Sequence, residues 1–433
     1  MKSSTGGGTI QNITCKGVSA RYHSRQSFIA NNINFSVDAG EMMAIMGPSG
    51  SGKSTLLNAV LGKLEIEKGQ GNILVNGCDV TSDGLACIRD RVGFVPQQDI
   101  LVDELTVMEN VRYFHTIAVD SDLSRADVTR RVQELIKAMG MSSDVTDKKP
   151  TELSGGQKKR ANLIMELANN PDVLIVDEPT SGLSSSDALS IMTYLKELSK
   201  EENKIVIVII HQPSSAIFSL FNKLLLLRAL GEGGRGECAA SDSPAAIYWK
   251  NSAILKNEGL HCRTCGTYFP DVLLEAVSDG FIKGPVNGSP PKASKLKKTS
   301  VLRSPHESVI DFMALVSRQI RIRTRDRLSL LLTFCVPPLL GVLVALVFKS
   351  APPEQSYSFE DNNLFGQFVF MMIVSGLFLG MVSSVGEIIR DRPMLYRESL
   401  RGLSMTAYYV SKMLVLVLFG AVQATLFCMA SFY

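Results

Sequence analysis

The sequence predicts an α/β domain of the phosphate-loop type followed by an α-helical membrane domain, and three observations carry that reading. Short apolar runs alternate with helical stretches from Ile10 to Leu230. A glycine-rich turn joins one such run to a helix. Three apolar runs, each near the roughly 20 residues needed to cross a bilayer as helix, occupy the C-terminal part. The strand-like runs include Met42 to Met46, Val92 to Val95, Val173 to Val176 and Ile205 to Ile210. Their near-continuous apolar character fits strands covered on both faces.

A chain of 433 residues exceeds one ordinary domain, and its apolar fraction suits two unlike parts. The formal charge of +3 selects no particular partner and does not suggest nucleic acid. The eight cysteines are scattered, mostly within apolar runs, which implies a reducing, cytosolic main domain rather than a disulfide framework. Residues 1–9 form a polar, Gly-rich and flexible N-terminus without the apolar core of a secretory signal, so membrane insertion must rely on later segments. The α/β domain is expected over 10–277. A Gly-, Pro-, Ser- and Lys-rich linker over 278–306 follows, with too little apolar surface to offset its ordering entropy.

Over 307–327, Val309, Phe312, Met313, Val316 and Ile320 recur at helical spacing, while Arg318, Arg321, Arg323, Arg325 and Arg327 crowd the end of the stretch. This is the pattern of an amphipathic connecting helix on an anionic leaflet. A partial membrane domain over 328–433 holds three expected spans, at about 328–348, 364–385 and 413–432. Arginines precede the first span and follow the second, while the loop between them is poor in Arg and Lys. Positive charge therefore marks the side on which the α/β domain lies, giving a multi-pass membrane protein with that domain in the cytoplasm. Pro337 and Pro338 are tolerated because bundled membrane helices accept such breaks.

Gly47, Pro48, Ser49, Gly50, Ser51, Gly52, Lys53 and Ser54 match GxxxxGK[ST] and lead into a helix at Thr55. In such a loop backbone N–H groups wrap phosphates at a helix N-terminus, Lys53 adds a point charge and the Ser54 hydroxyl ligates Mg²⁺. The run Val173 to Val176 ends in Asp177 and Glu178, one carboxylate for the magnesium shell and one to orient an attacking water. Leu153-Ser154-Gly155-Gly156-Gln157 opens another helical run, Lys158 to Ala168, where Ser154 would cap the helix and the glycines expose N–H groups. One domain thus holds two anion-binding helix ends.

On these motifs the chain resembles the ATP-binding cassette family, whose signature is LSGGQ, and the resemblance covers essentially the whole chain. It implies that two cassettes sandwich ATP head to tail, with Ser154, Gly155, Gly156 and Gln157 contacting in trans the nucleotide held by the partner's phosphate loop, which comprises Gly47 to Thr55. It also implies that Gln97 joins the magnesium shell with Ser54 and Asp177, that Glu178 and His211 serve hydrolysis, and that Tyr22 stacks on adenine. Cassette first, membrane domain second, and Arg390 to Arg401 after the second span look like the G subfamily of half-transporters. That resemblance implies an ATPase that binds ATP and Mg²⁺, pairs as a homo- or heterodimer, and exports a lipophilic small molecule (lipid, sterol, pigment precursor or xenobiotic) across a lipid membrane. A membrane-tethered ATP-binding regulator, or an incomplete paralogue pairing with a full-length partner, is the alternative.

Two departures from the family pattern stand out. Ser184 occupies a position where the family usually has aspartate; a hydroxyl keeps a hydrogen bond but not the charge, so altered coupling between paired ATP sites is expected. Three spans are also half of the family's six. Separately, His261, Cys262 and Cys265 supply an imidazole and a thiol pair, but a closed zinc site needs four ligands and no second pair lies nearby; Cys238 is the candidate fourth ligand, and the sequence leaves metal binding open.

Overall fold

The computed structural model describes residues 9–21, 30–64, 66, 71–118, 124–230, 235–244, 247, 270–278, 305–348 and 364–432. The chain divides into two compact units. One comprises Met1–Leu101, Val119–Leu302 and Leu400–Gly402, the other Val102–Ala118, Arg303–Ser399 and Leu403–Tyr433.

The first unit is an α/β domain built on one sheet. Its strands are β1 (Asn12–Ala20), β2 (Ala30–Asp38), β3 (Met42–Met46), β4 (Asn72–Val75), β5 (Cys78–Asp79), β6 (Val92–Val95), β7 (Val173–Asp177), β8 (Ile205–Ile209), β9 (Lys223–Leu230) and β10 (Arg235–Asp242). They lie in the order β5-β4-β1-β2-β10-β9-β3-β8-β7-β6. From β9 to β6 all pairings are parallel, and the inner strands β3, β7 and β8 are buried along nearly their whole length. At the other end β5, β4, β1 and β2 pair antiparallel. Continuous apolar runs mark the parallel strands in the sequence, whereas β2 alternates buried and exposed residues and so lacks such a run. Asp177 lies opposite Ile209, and Ile45 opposite Ile209 on the other side of β8. The carboxyl ends of β3, β7 and β8 are therefore level, and the loops leaving them open on one edge.

Helices α1 (Lys53–Val60), α3 (Arg125–Ala138), α4 (Gly155–Leu167), α5 (Ser185–Glu201) and α6 (Ser215–Phe218) belong to this unit, and α2 (Val107–Ala118) to the other. An apolar core runs from Ile13 and Ile33 on the antiparallel strands to Ile175 and Ile207 on the parallel ones. Glu166 of α4 is 1% exposed and accepts from Arg401 at 2.6 Å. A buried charge persists at such a depth because its partner is equally buried.

In the second unit α2 accompanies the helix Pro305–Arg325, whose Arg321 and Arg325 both bind Glu109. Among the described residues, three helices are long and apolar enough to cross a membrane: Arg327–Phe348, Phe365–Leu400 and Met405–Phe432. The first is interrupted at Cys335, because Pro337 and Pro338 cannot donate to the preceding turn. Gly341 lets it approach its neighbour, since a β-carbon there would meet the Phe427 carbonyl at 2.6 Å. The last helix begins at Met405, about two turns before the apolar run at Met413. Lys412 interrupts the hydropathy but is buried, donating to Asp391 at 2.8 Å and pairing with Glu387 at 2.5 Å. Large apolar side chains such as Leu339, Leu346 and Leu377 stand exposed on these helices, an arrangement suited to lipid and costly in water.

Candidate functional site

The phosphate-loop turn follows β3 and precedes α1. Gly50 and Gly52 take φ +80° and +81°, which only glycine adopts without strain, and Gly52 is the N-cap of α1 with no side-chain cap. The first-turn N–H groups of α1 thus have no side chain of their own to satisfy them, as an anion-binding terminus requires. Gly47 is confined by packing: a β-carbon there would meet the Leu227 carbonyl at 2.6 Å. Lys53 folds back over the loop and donates to the carbonyls of Gly47 at 2.7 Å and Pro48 at 2.9 Å. Burial pushes its ammonium below the ordinary value, while Glu178 and Asp177 oppose that shift. Thr55 is buried, Ser54 is exposed, and the buried Ser51 hydroxyl has no hydrogen-bond partner among the described residues.

At the end of β7, Asp177 and Glu178 are held differently. The Asp177 carboxyl is pushed up to about 6, first by burial and then by Glu178, with Lys53 and Lys159 pulling the other way. Glu178 sits at φ +48°, a strained backbone for a non-glycine residue costing on the order of 1–3 kcal/mol. Its N–H donates to the Ile209 carbonyl at 2.9 Å, which pins that turn to β8. Gln97 Nε2 donates to Glu178 Oε2 at 2.6 Å, and His211 Nε2 lies 2.6 Å from Oε1. The amide orientation leaves Gln97 Oε1 as an oxygen donor. Ser54, Gln97 and Asp177 together offer a hydroxyl, an amide carbonyl and a carboxylate, the hard-oxygen set that suits Mg²⁺.

Ser154, Gly155, Gly156 and Gln157 form the other helix start. Ser154 caps α4 by accepting from the Gln157 N–H at 3.3 Å, and Gln157 Oε1 accepts from the Ser154 N–H at 3.0 Å. This reciprocal capping box is legible in the sequence. Gly155 has open space where a side chain would project. Sequence reasoning missed the two cations behind this turn. Lys159, 3% exposed, donates to the Gln97 carbonyl at 2.6 Å and pairs with Asp99 at 3.3 Å, while Arg160 pairs with Asp187. Their only sequence signal is the run Lys158-Lys159-Arg160, and helical spacing sends neighbours to different faces.

The structure therefore brings the phosphate loop, Asp177, Glu178, Gln97 and His211 to the carboxyl edge of the sheet and puts Ser154 to Gln157 at the start of α4. Tyr22, His261, Cys262, Cys265 and linker residues 279–304 lie outside the described residues, while Ser278 ends the helix Pro270–Ser278 and Pro305 and His306 open the helix Pro305–Arg325. Cys238 is a buried residue of β10, and no group of metal-ligating side chains occurs among the described residues.

Residues 30–181 match the family model for the ABC transporter, and residues 310–433 that for the ABC-2 type transporter. The ABC transporter ATP-binding/permease protein Rv1747 of Mycobacterium tuberculosis is 29% identical over 413 residues, covering 92% of this chain and 44% of that protein. ABC transporter G family member 25 of Arabidopsis thaliana is 38% identical over 203 residues, covering 46% of this chain and 30% of that protein. The chain spans less than half the length of these relatives. The dimeric structure of MJ0796, a bacterial ABC transporter cassette, is similar at 30% identity over 53% of this chain and 98% of that one, with a TM-score of 0.46.

Proposed function

The chain is an ABC transporter protein, carrying a cassette followed by an ABC-2 type membrane domain in the half-transporter layout of its G-family relatives, and on that premise we propose an ATP-driven exporter of a lipophilic substrate. Two cassettes pair head to tail, the phosphate loop of one and the turn Ser154 to Gln157 of the other enclosing each ATP. The substrate class is a lipid, sterol, pigment precursor or xenobiotic, and the cassette lies on the cytoplasmic side. Gln97 and the segment Arg390 to Arg401 relay closure to the membrane helices. The exposed apolar side chains of those helices support the membrane assignment.

The observation that carries the hydrolytic reading is the grip on Glu178. A carboxylate clasped by Gln97 and His211, on a strained turn beside the phosphate loop, is held for one geometry. In this reading Glu178 orients and deprotonates the attacking water, His211 contacts the terminal phosphate, and Lys53 leaves the loop carbonyls to neutralise phosphate charge. Ser54, Gln97 and Asp177 hold Mg²⁺, which when bound supplies charge stabilisation to the phosphoryl oxygens. The test is the ATPase rate of the purified chain. Glu178→Gln lowers turnover by about 100-fold or more, with ATP affinity kept within a few-fold; undiminished turnover contradicts the reading.

A further inference from the structure

Ser184 is the N-cap of α5, and its hydroxyl plays two parts. It accepts from the Asp187 N–H at 3.2 Å and donates to Asp187 Oδ2 at 2.8 Å. The other carboxylate oxygen of Asp187 accepts from Arg160 of α4 at 2.9 Å. The same carboxylate lies directly over Gly156, where an added β-carbon would sit 3.2 Å from Asp187 Cγ. The acid one turn into α5 thus touches three parts of the α4 start and its neighbouring loop. The loop Ser181 to Ser186 is otherwise largely exposed.

This placement has an electrostatic consequence. A carboxylate at the N-terminus of α4 satisfies the positive end of that helix but repels an arriving phosphate. Arg160 neutralises the repulsion and, through a charge-assisted bond, fixes the carboxylate to the helix. The Asp187 carboxyl is held below the usual carboxylate range, first by the Ser184 hydroxyl and then by Arg160.

We propose that Asp187 is a positioning residue for the in-trans half of the ATP site, locking the loop at Ser184 to the turn at Gly156 through Ser184 and Arg160 so that both close on the partner's nucleotide as one body. The charge that the family pattern leads one to expect at Ser184 is supplied instead one helical turn later and is directed at the cassette's own signature helix. This inference rests on the head-to-tail reading above.

The full chain carrying Glu178→Gln, which prevents turnover, separates the two ideas. Labelled ATP is measured in two pools: exchangeable nucleotide, which reports the chain's own phosphate loop, and non-exchangeable nucleotide, which reports the closed sandwich. Asp187→Ala and Arg160→Ala are each expected to leave exchangeable affinity within about two-fold and to lower the occluded fraction by about ten-fold or more, with the double variant no worse than the worse single. Unchanged occlusion in either single, or losses that multiply in the double, overturns the proposal. A parallel fall in exchangeable affinity also overturns it, because the pair then only maintains the fold. Absence of occluded ATP in the Glu178→Gln parent removes the head-to-tail reading itself, and the proposal with it.

Discussion

Two helix starts in this cassette open on glycine-rich turns, and they are built in opposite ways. The start of α1 has a left-handed glycine N-cap and no side-chain cap, so its N–H groups stay available and Lys53 is bent back beside them. The start of α4 closes on itself through the Ser154 and Gln157 capping box, and Asp187 covers its flank. A bare, strained terminus binds nucleotide tightly in its own right; a capped, braced one is stable alone and contributes chiefly when nucleotide is presented to it. The contrast suits one terminus that loads ATP and one that completes the site of a partner.

The largest expected effect breaks the first terminus. Gly47→Ala drives a β-carbon against the Leu227 carbonyl, and with its backbone displaced the loop loses nucleotide binding by about 100-fold or more, measured as equilibrium ATP affinity. The next effect tests the second. Ser184→Asp places a carboxylate within reach of Asp187 Oδ2, now 2.8 Å from the serine hydroxyl, so the change lowers occluded ATP by roughly ten-fold. A Ser184→Asp chain that occludes ATP as well as the parent would show that charge at this turn is immaterial.

A smaller, graded effect concerns pH. The folded pKa of Asp177, about 6, lies above the ordinary 3.8, so the folded chain binds the extra proton between those values. The contribution of Asp177 to stability is then greatest below the ordinary value, falls as pH rises through the window, and is level above it. On the proposed reading Mg²⁺ binds the ionised Asp177 carboxylate. Apparent Mg²⁺ affinity of the nucleotide complex is therefore expected to weaken more steeply below pH about 6 than that of free ATP, and Asp177→Asn reduces the slope to that of the nucleotide's own terminal phosphate. The smallest effect is Ser154→Ala, which removes a helix cap worth about 1 kcal/mol and lowers cassette melting temperature slightly while leaving exchangeable ATP binding intact.

Much of this contrast is legible in the sequence, because both helix starts are local patterns. GxxxxGK[ST] and a Ser followed three residues later by Gln each describe a single turn of chain. The parallel strands are equally legible as unbroken apolar runs, whereas β1, β2, β4 and β5 alternate or are too short to stand out. What stays hidden depends on residues far apart in the chain. The pairing of Arg160 with Asp187 and of Lys159 with the Gln97 carbonyl follows from packing of separate elements, and no spacing rule announces it. Likewise the last membrane helix starts earlier than its apolar run because Lys412 finds Asp391 and Glu387, partners invisible to a hydropathy scan.

The central claim is that the two helix starts of one chain serve different nucleotides, and complementation tests it most directly. In the Glu178→Gln background, one full chain carries Lys53→Ala and a second carries Gly155→Glu, a position with open space around it, so the change strikes the terminus without disturbing the fold. Either chain by itself is expected to occlude no ATP. Co-purified as a mixed pair through two different tags, they form one intact site from the phosphate loop of the second and the signature turn of the first, and occlusion returns at one ATP per pair. A mixed pair that occludes no more than either chain alone contradicts the account.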